Sequence, residues 1–397
     1  MLQPSNRLQS LTGYAFAEVE EAVAALKKQG IEPIDFGVGD PTEPTPQFIR
    51  DALKAAADQH ASSGYPSYVG RLDFREAIAE YMRLRFNVNL NPETEICSTL
   101  GSKEAIFNFP EAILNPGDVA LIPSPGYPPY KRGTLFAEGV PYFYPMLEEN
   151  NFYPNFGAFP DDVLEKAKIL WLCYPNSPSG AIATRRFYEQ AIEFARKHNL
   201  IIASDECYSD IYLNEEPPIS ILEVAKENII TFHSLSKRSN MTGYRIGWTA
   251  GDPEIIANFK KLKTNIDSGT PDFIQSAAIA ALQENEHVKV QCNLYRERAQ
   301  ILQDALREIG LEVRDVEATF YIWQKVPANM TSVEFAKKLL SPDIAIVVTP
   351  GSWISDECPT KDGVPLNPGE GYVRFALMPS LEQTKKAAER LINNFSA

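Results

Sequence analysis

Four apolar runs in the middle of the chain set its architecture: VALIPS at 119–124, KILWLCYP at 168–175, LIIASDE at 200–206 and NIITFHS at 228–234. Each run is continuous rather than alternating. A strand covered on both faces reads this way, whereas a half-exposed strand alternates. Between the runs lie stretches of helical spacing. RRFYEQAIEFARKHN at 185–199 brings Phe187, Ile192, Phe194 and Ala195 to one side, and LDFREAIAEYMRLRF at 72–86 puts Phe74, Ile78, Tyr81 and Met82 on one stripe. Strands separated by helices predict an α/β fold with a mostly parallel sheet and right-handed crossovers.

The last third changes character. An amphipathic helix is predicted over about 288–309, then short strands in 311–324, 345–351 and 372–378, then a final helix from about 381. This is the pattern of a smaller α+β module. The predicted division is a large domain at 46–289 and a small domain built from 1–45 and 290–397. The proline-rich stretches PTEPTP (41–46) and PSPGYPPY (123–130) read as loops. At 397 residues, with 44% hydrophobic and 23% charged, the chain can bury a large core without staples.

The net charge of -14 argues against a nucleic-acid footprint, and no polybasic run suggests an anionic membrane surface. The five cysteines, Cys97, Cys173, Cys207, Cys292 and Cys358, are scattered and odd in number, which fits free thiols in a reducing compartment. The four histidines have no metal-ligand spacing, so no metal site is expected. The opening MLQPSNRLQSLTGYAF lacks a basic start followed by an apolar stretch, and no run elsewhere approaches a membrane span. A cytoplasmic protein is expected.

In a sheet of this kind ligands lie beyond the carboxyl ends of the strands. Those ends offer Tyr127 after the first run, Asn176 in YPNSPSG, Asp205 and Tyr208 in SDECYSD, and Ser234, Ser236 and Lys237 after the last. Each has an ordinary reading: Asn176 as a turn residue, Asp205 as a cap or ion-pair member, Tyr127 as packing. Brought to one edge, they suit one chemistry. An amine forms an imine with an aldehyde cofactor. Pyridoxal phosphate is such an aldehyde, and its ring nitrogen stays protonated beside an acid such as Asp205. Asn176 and Tyr208 can donate to the ring oxygen, and Tyr127 can stack on the ring.

The phosphate needs its own pocket. TLGSKEAIFNF at 99–109 opens a helix-like segment with Gly101 and Ser102, where free backbone N–H groups would gather. Arg245 and Ser234 can complete the cradle, with Gly243 and Gly247 expected to permit close backbone approach. Arg374, inside the apolar run YVRFALM, needs an anion. A substrate α-carboxylate is one; an acid of the chain itself is the ordinary alternative.

With these motifs in this order, the sequence resembles the fold-type I pyridoxal-phosphate aminotransferases of the class I and II group, from GVGDPTEPTP (37–46) to YVRFALM (372–378). HSLSKRSNMTGYRIGW is similar to the family's lysine signature, with a phosphate-binding arginine eight residues after Lys237. LGSKEAIFNF resembles its phosphate helix, which implies cofactor contacts for Gly101, Ser102 and Lys103. The resemblance further implies that Gly39, Asn176 and Arg374 bind substrate and that Arg374 clamps its α-carboxylate. It also implies that Tyr65 reaches the cofactor phosphate of a neighbouring subunit, so that the active unit is a homodimer. Thr319 stands where many relatives have glycine-alanine before an aromatic, a departure expected on the substrate side.

The implied activity is transfer of an amino group from an amino acid to a 2-oxo acid such as 2-oxoglutarate, with Lys237, Asp205 and Tyr208 as catalytic residues. Local wording around SLSKRSNMTGYRIG, FNFP and ATFYIW resembles aminotransferases of the diaminopimelate branch of lysine synthesis, acting on LL-2,6-diaminopimelate or its N-succinyl form. Aspartate- or alanine-type aminotransferases and β-lyases of the same fold share nearly all of these residues and stay open as alternatives.

Overall fold

The computed structural model describes residues 3–9, 11 and 17–395. The reading of the opening stretch 1–16 falls largely outside these residues. In chain order the strands are β1 (Ile34–Asp35), β2 (Ile96–Thr99), β3 (Val119–Ser124), β4 (Val140–Pro145), β5 (Ala167–Cys173) and β6 (Ile201–Asp205), followed by β7 (Ile229–Ser234), β8 (Gly247–Gly251), β9 (Tyr321–Lys325), β10 (Ile346–Val347), β11 (Thr349–Pro350) and β12 (Tyr372–Ala376). Seven of them form the central sheet in the order β2-β8-β7-β6-β5-β3-β4.

The four apolar runs are neighbours in this sheet, paired parallel, as β7-β6-β5-β3. β4 extends the parallel set, while β8 runs antiparallel to both β7 and β2. The reversal of β8 departs from a purely parallel pattern, and two glycines let it lie close against β7. A Cβ on Gly247 would lie 2.4 Å from the His233 carbonyl oxygen, and one on Gly251 2.1 Å from that of Ile229.

Successive residues of β5 feed opposite faces, as the period of two requires. Leu170 and Leu172 enter one apolar cluster with the helices Leu72–Phe86 and Arg185–His198. Ile169, Trp171 and Cys173 enter another, under the helices Ser102–Asn108 and Pro253–Lys263. Helix Arg185–His198 starts where the Thr184 hydroxyl accepts from the Phe187 N–H at 3.1 Å, and it stops at Asn199, whose φ of 53° is left-handed.

A third cluster gathers Phe36, Ile211, Leu302, Leu306, Phe320, Phe335, Phe375 and Leu391. It is covered by the long helix Glu286–Glu308 and the last helix Leu381–Asn394. Its antiparallel sheet has the order β11-β12-β9, and β1 pairs in parallel with β10 through Ile34 and Ile346. No helix among the described residues is long and apolar enough to cross a membrane.

Candidate active site

A cavity of about 530 Å³ opens where β3, β5, β6 and β7 end, and β9 and β12 close it from the other side. Its wall holds Lys237, Asp205, Tyr208, Tyr127, Ser102, Lys103, Ser234, Ser236, Arg245, Gly39 and Arg374. These span residues 39 to 374 in sequence, and the sheet edge brings them together.

β7 ends at Ser234, whose hydroxyl accepts from the Ser236 N–H at 3.1 Å and caps the short helix Leu235–Arg238. That turn aims Lys237 into the cavity. Its Nζ donates to the Gly39 carbonyl at 3.3 Å and lies 5.4 Å from the centre of the Phe320 ring. No carboxylate among the described residues pairs with it. Asp205 closes β6 and is 6% exposed. Its Oδ1 accepts from the Cys207 N–H at 3.1 Å and its Oδ2 from the Tyr130 hydroxyl at 2.6 Å. Burial pushes its carboxyl above the usual aspartate range, and the Tyr130 hydrogen bond opposes that shift.

Arg245 sits at a φ of 53° and uses its guanidinium to hold the Thr242 carbonyl at 2.7 Å and the Leu100 carbonyl at 3.1 Å. A Cβ on Gly101 would lie 2.3 Å from its Nη2. Gly101, with a φ of +73°, is therefore the glycine this cradle requires. The expectation is corrected for Gly243, where a Cβ meets nothing within 4 Å, while Gly247 does permit close backbone approach, with a Cβ there 2.4 Å from the His233 carbonyl oxygen and 3.3 Å from the Gly101 backbone.

Arg374 lies on β12, register-paired with Thr349 and Trp323. Its Nη2 donates to the Gly37 carbonyl at 3.0 Å and approaches the Thr349 hydroxyl at 3.4 Å, while its Nε is buried without a partner. The guanidinium lies 4.6 Å from the centre of the Tyr321 ring. No acid among the described residues pairs with it, so the structural ion pair is not formed.

Three expected residues do not line this wall: Gly101, which lies behind Arg245, and Asn176 and Tyr65. Asn176 is buried behind it: its Oδ1 accepts from the Ser179 hydroxyl at 2.7 Å and its Nδ2 donates to the Cys173 carbonyl at 3.3 Å. The carboxamide is used to close its own loop, and Cys173, Ser177 and Pro178 form the wall there. Tyr65 is 88% exposed and stands outside the cavity. Thr319 is also off the wall. It is fully buried at a φ of 68°, a backbone that favours glycine, and its hydroxyl accepts from the Tyr321 N–H. The wall residue of that stretch is Tyr321, whose hydroxyl lies 3.3 Å from that of Tyr208. Tyr321, Asp40 and Tyr130 escaped the sequence reading although each lies within a quoted stretch, because nothing local marks which of its residues turns to the site.

The arrangement fits a ligand with a cationic ring at one end and an anionic group at the other. Asp205, a buried acid with no paired cation among the described residues, lines the cavity at the end of β6, and Arg245, Ser102, Ser234 and Ser236 line it as a cationic and hydroxyl-rich set, Arg245 Nη1 lying 3.5 Å from the Ser236 hydroxyl. Fold and site together define a fold-type I pyridoxal-phosphate enzyme. The sequence pattern described as aminotransferase class I and II matches residues 31–391, and the chain belongs to that family. Two relatives are named LL-diaminopimelate aminotransferase. That of Aquifex aeolicus is 45% identical, covering 99% of each chain, and that of Halothermothrix orenii is 42% identical, covering 99% of each. Among solved structures, an aminotransferase from Neisseria meningitidis superposes with a TM-score of 0.90 at 34% identity, covering 98% of each chain.

Proposed function

We propose that this aminotransferase takes the amino group of LL-2,6-diaminopimelate and passes it to a 2-oxo acid such as 2-oxoglutarate. The names of the relatives at 42–45% identity over the whole chain support this substrate. The observation that carries the chemistry is the juxtaposition in one cavity of an amine without an acid partner, Lys237, and a guanidinium without one, Arg374.

When bound, pyridoxal phosphate accepts the amino group at its aldehyde carbon and withdraws electrons from the substrate Cα through its protonated ring. The residues divide the rest of the work. Lys237 would anchor the cofactor in the resting state and, once released, would take a proton from the substrate Cα and return it at the cofactor's aldehyde-derived carbon, across the linking nitrogen. Asp205 keeps the ring nitrogen charged. Arg245, Ser102, Ser234 and Ser236 hold the phosphate, with the Gly101 and Lys103 backbone beside them. Tyr127 would flank the ring, and Tyr208 and Asn176 would donate to its oxygen. Arg374 and the Gly39 segment fix the α-carboxylate, and so the direction from which Lys237 meets the Cα proton.

The protein is read as a large domain over 46–289 and a small one formed by 1–45 and 290–397, with the cavity in the cleft between them. The exposure of Tyr65 supports a homodimer in which this side chain reaches the partner's phosphate. The five unpaired cysteines support a cytoplasmic location.

The test is a panel of amino donors with 2-oxoglutarate, followed through the cofactor's absorbance. LL-2,6-diaminopimelate is expected to react fastest, ahead of its N-succinyl form, L-aspartate and L-alanine. Faster reaction of aspartate or alanine would overturn the substrate. Elimination without amino transfer would point to a β-lyase.

A further inference from the structure

We propose that Tyr130 is a positioning residue of this reaction, a fixed hydrogen-bond donor that keeps the Asp205 carboxylate ionised and aimed into the cavity. The proposal rests on the assignment of Asp205 as partner of the cofactor's ring nitrogen.

Tyr130 lies in the first turn of helix Pro128–Phe136, three residues after Tyr127, so both phenols turn toward the sheet edge. It is fully buried, and its ring stacks on Trp171 of β5 at 4.6 Å and 22°. Tyr127 meets it edge-on at 5.9 Å. Held from both sides, its ring is fixed, and its hydroxyl donates to Asp205 Oδ2 at 2.6 Å, with the buried Cys173 thiol also beside it.

The chemistry of this partner matters. A buried carboxylate without a counter-charge tends to take up a proton. A neighbouring lysine or arginine would prevent that, but it would also neutralise the negative charge that the ring nitrogen needs. A phenol stabilises the charge without cancelling it. Burial and the adjacent Asp205 raise the Tyr130 phenol well above its ordinary value, so the proton stays on the tyrosine. The Cys207 N–H fixes the other carboxylate oxygen. Asp205 is thus held at both oxygens by neutral donors, and its charge is left for the ligand.

Tyr130→Phe removes one oxygen and keeps the stack on Trp171. The readouts are the dissociation constant of pyridoxal phosphate from the apoprotein, the pH dependence of the bound cofactor's absorbance, and kcat and KM taken separately. Asp205→Asn is measured alongside. Tyr130→Phe is expected to weaken cofactor binding by about tenfold or more, as loss of one charged hydrogen bond implies. The acid limb of the pH profile should move to higher pH, and kcat should fall with the amino-donor KM nearly unchanged. Parent-like cofactor affinity and pH profile in Tyr130→Phe, together with their loss in Asp205→Asn, would overturn the proposal and leave the Asp205 assignment standing. Parent-like behaviour of Asp205→Asn would overturn both. Should the Phe variant fail to fold, 3-fluorotyrosine at position 130, a stronger donor, must move the acid limb to lower pH; an unmoved limb refutes the role.

Discussion

Replacing Arg374 by alanine tests whether its guanidinium serves the ligand or the fold. In the structure Nη2 is spent on the Gly37 carbonyl and the Thr349 hydroxyl, Nε is buried without a partner, and no acid among the described residues balances the charge. A substrate carboxylate would therefore be the first anion this arginine meets. One hydrogen bond to a charged group contributes about 1.5–3 kcal/mol, and a forked pair more. Because Arg374 is only half-buried, the lower end applies. Two such bonds in a fork, at about 1.5 kcal/mol each, contribute roughly 3 kcal/mol, or about a hundredfold in kcat/KM. The assay is steady-state turnover of LL-2,6-diaminopimelate with 2-oxoglutarate, plus half-reactions with 1,5-diaminopentane, an amine without the carboxylate. The variant should lose the amino acid reaction, mostly through KM, and treat the diamine as the parent does. A change in kcat/KM of less than about threefold would refute the carboxylate role. So would equal losses for both amines, which would indicate a damaged cavity.

Four further outcomes are expected. Lys237→Ala should lose about 10⁴-fold or more in turnover while still binding some cofactor, and borohydride reduction of the parent followed by peptide mapping should place the adduct on Lys237. Gly101→Ala, whose new methyl would meet Arg245 Nη2 at 2.3 Å, should weaken cofactor affinity by about tenfold, whereas Gly243→Ala, in open space, should leave it near the parent's; titration of the apoproteins checks both. Asp210→Asn should cost about 3–5 kcal/mol in urea unfolding, because the carboxylate serves two guanidiniums, the half-buried Arg85 at 2.9 Å and the buried Arg238 at 2.8 Å, and the Tyr81 hydroxyl at 2.6 Å. Burial pushes the Glu206 carboxyl from an ordinary 4.5 up to about 7. The unfolded chain then releases this proton first, so Glu206 stabilises the fold below about pH 4.5, and that contribution of about 3 kcal/mol is lost by pH 7. Glu206→Gln should flatten this decline in denaturation curves recorded between those pH values; an unchanged slope would refute it.

Continuous apolar runs marked the four central parallel strands, because a strand buried on both faces has no polar face to disguise it. The spacing around Lys237, Asp205 and Arg245 was equally legible, since local chemistry at strand ends is written in consecutive residues. β2 and β8 were not. Ile96–Thr99 is a short run, and Gly247–Gly251 carries glycines whose purpose is the approach of β7, which no local pattern displays. Tyr130 and Tyr321 looked like ordinary packing aromatics until the fold set one hydroxyl on Asp205 and the other beside Tyr208. Asn176 carries a role that no local pattern displayed: its amide also ties its own loop together. The sequence by itself determined the class of fold and the reactive groups, because hydrophobic period and motif spacing are local properties. Which groups meet, which of them keep an unpaired charge, and which neutral donors hold Asp205 were decided only by tertiary structure, because those contacts join residues 39 to 374 across two layers of packing.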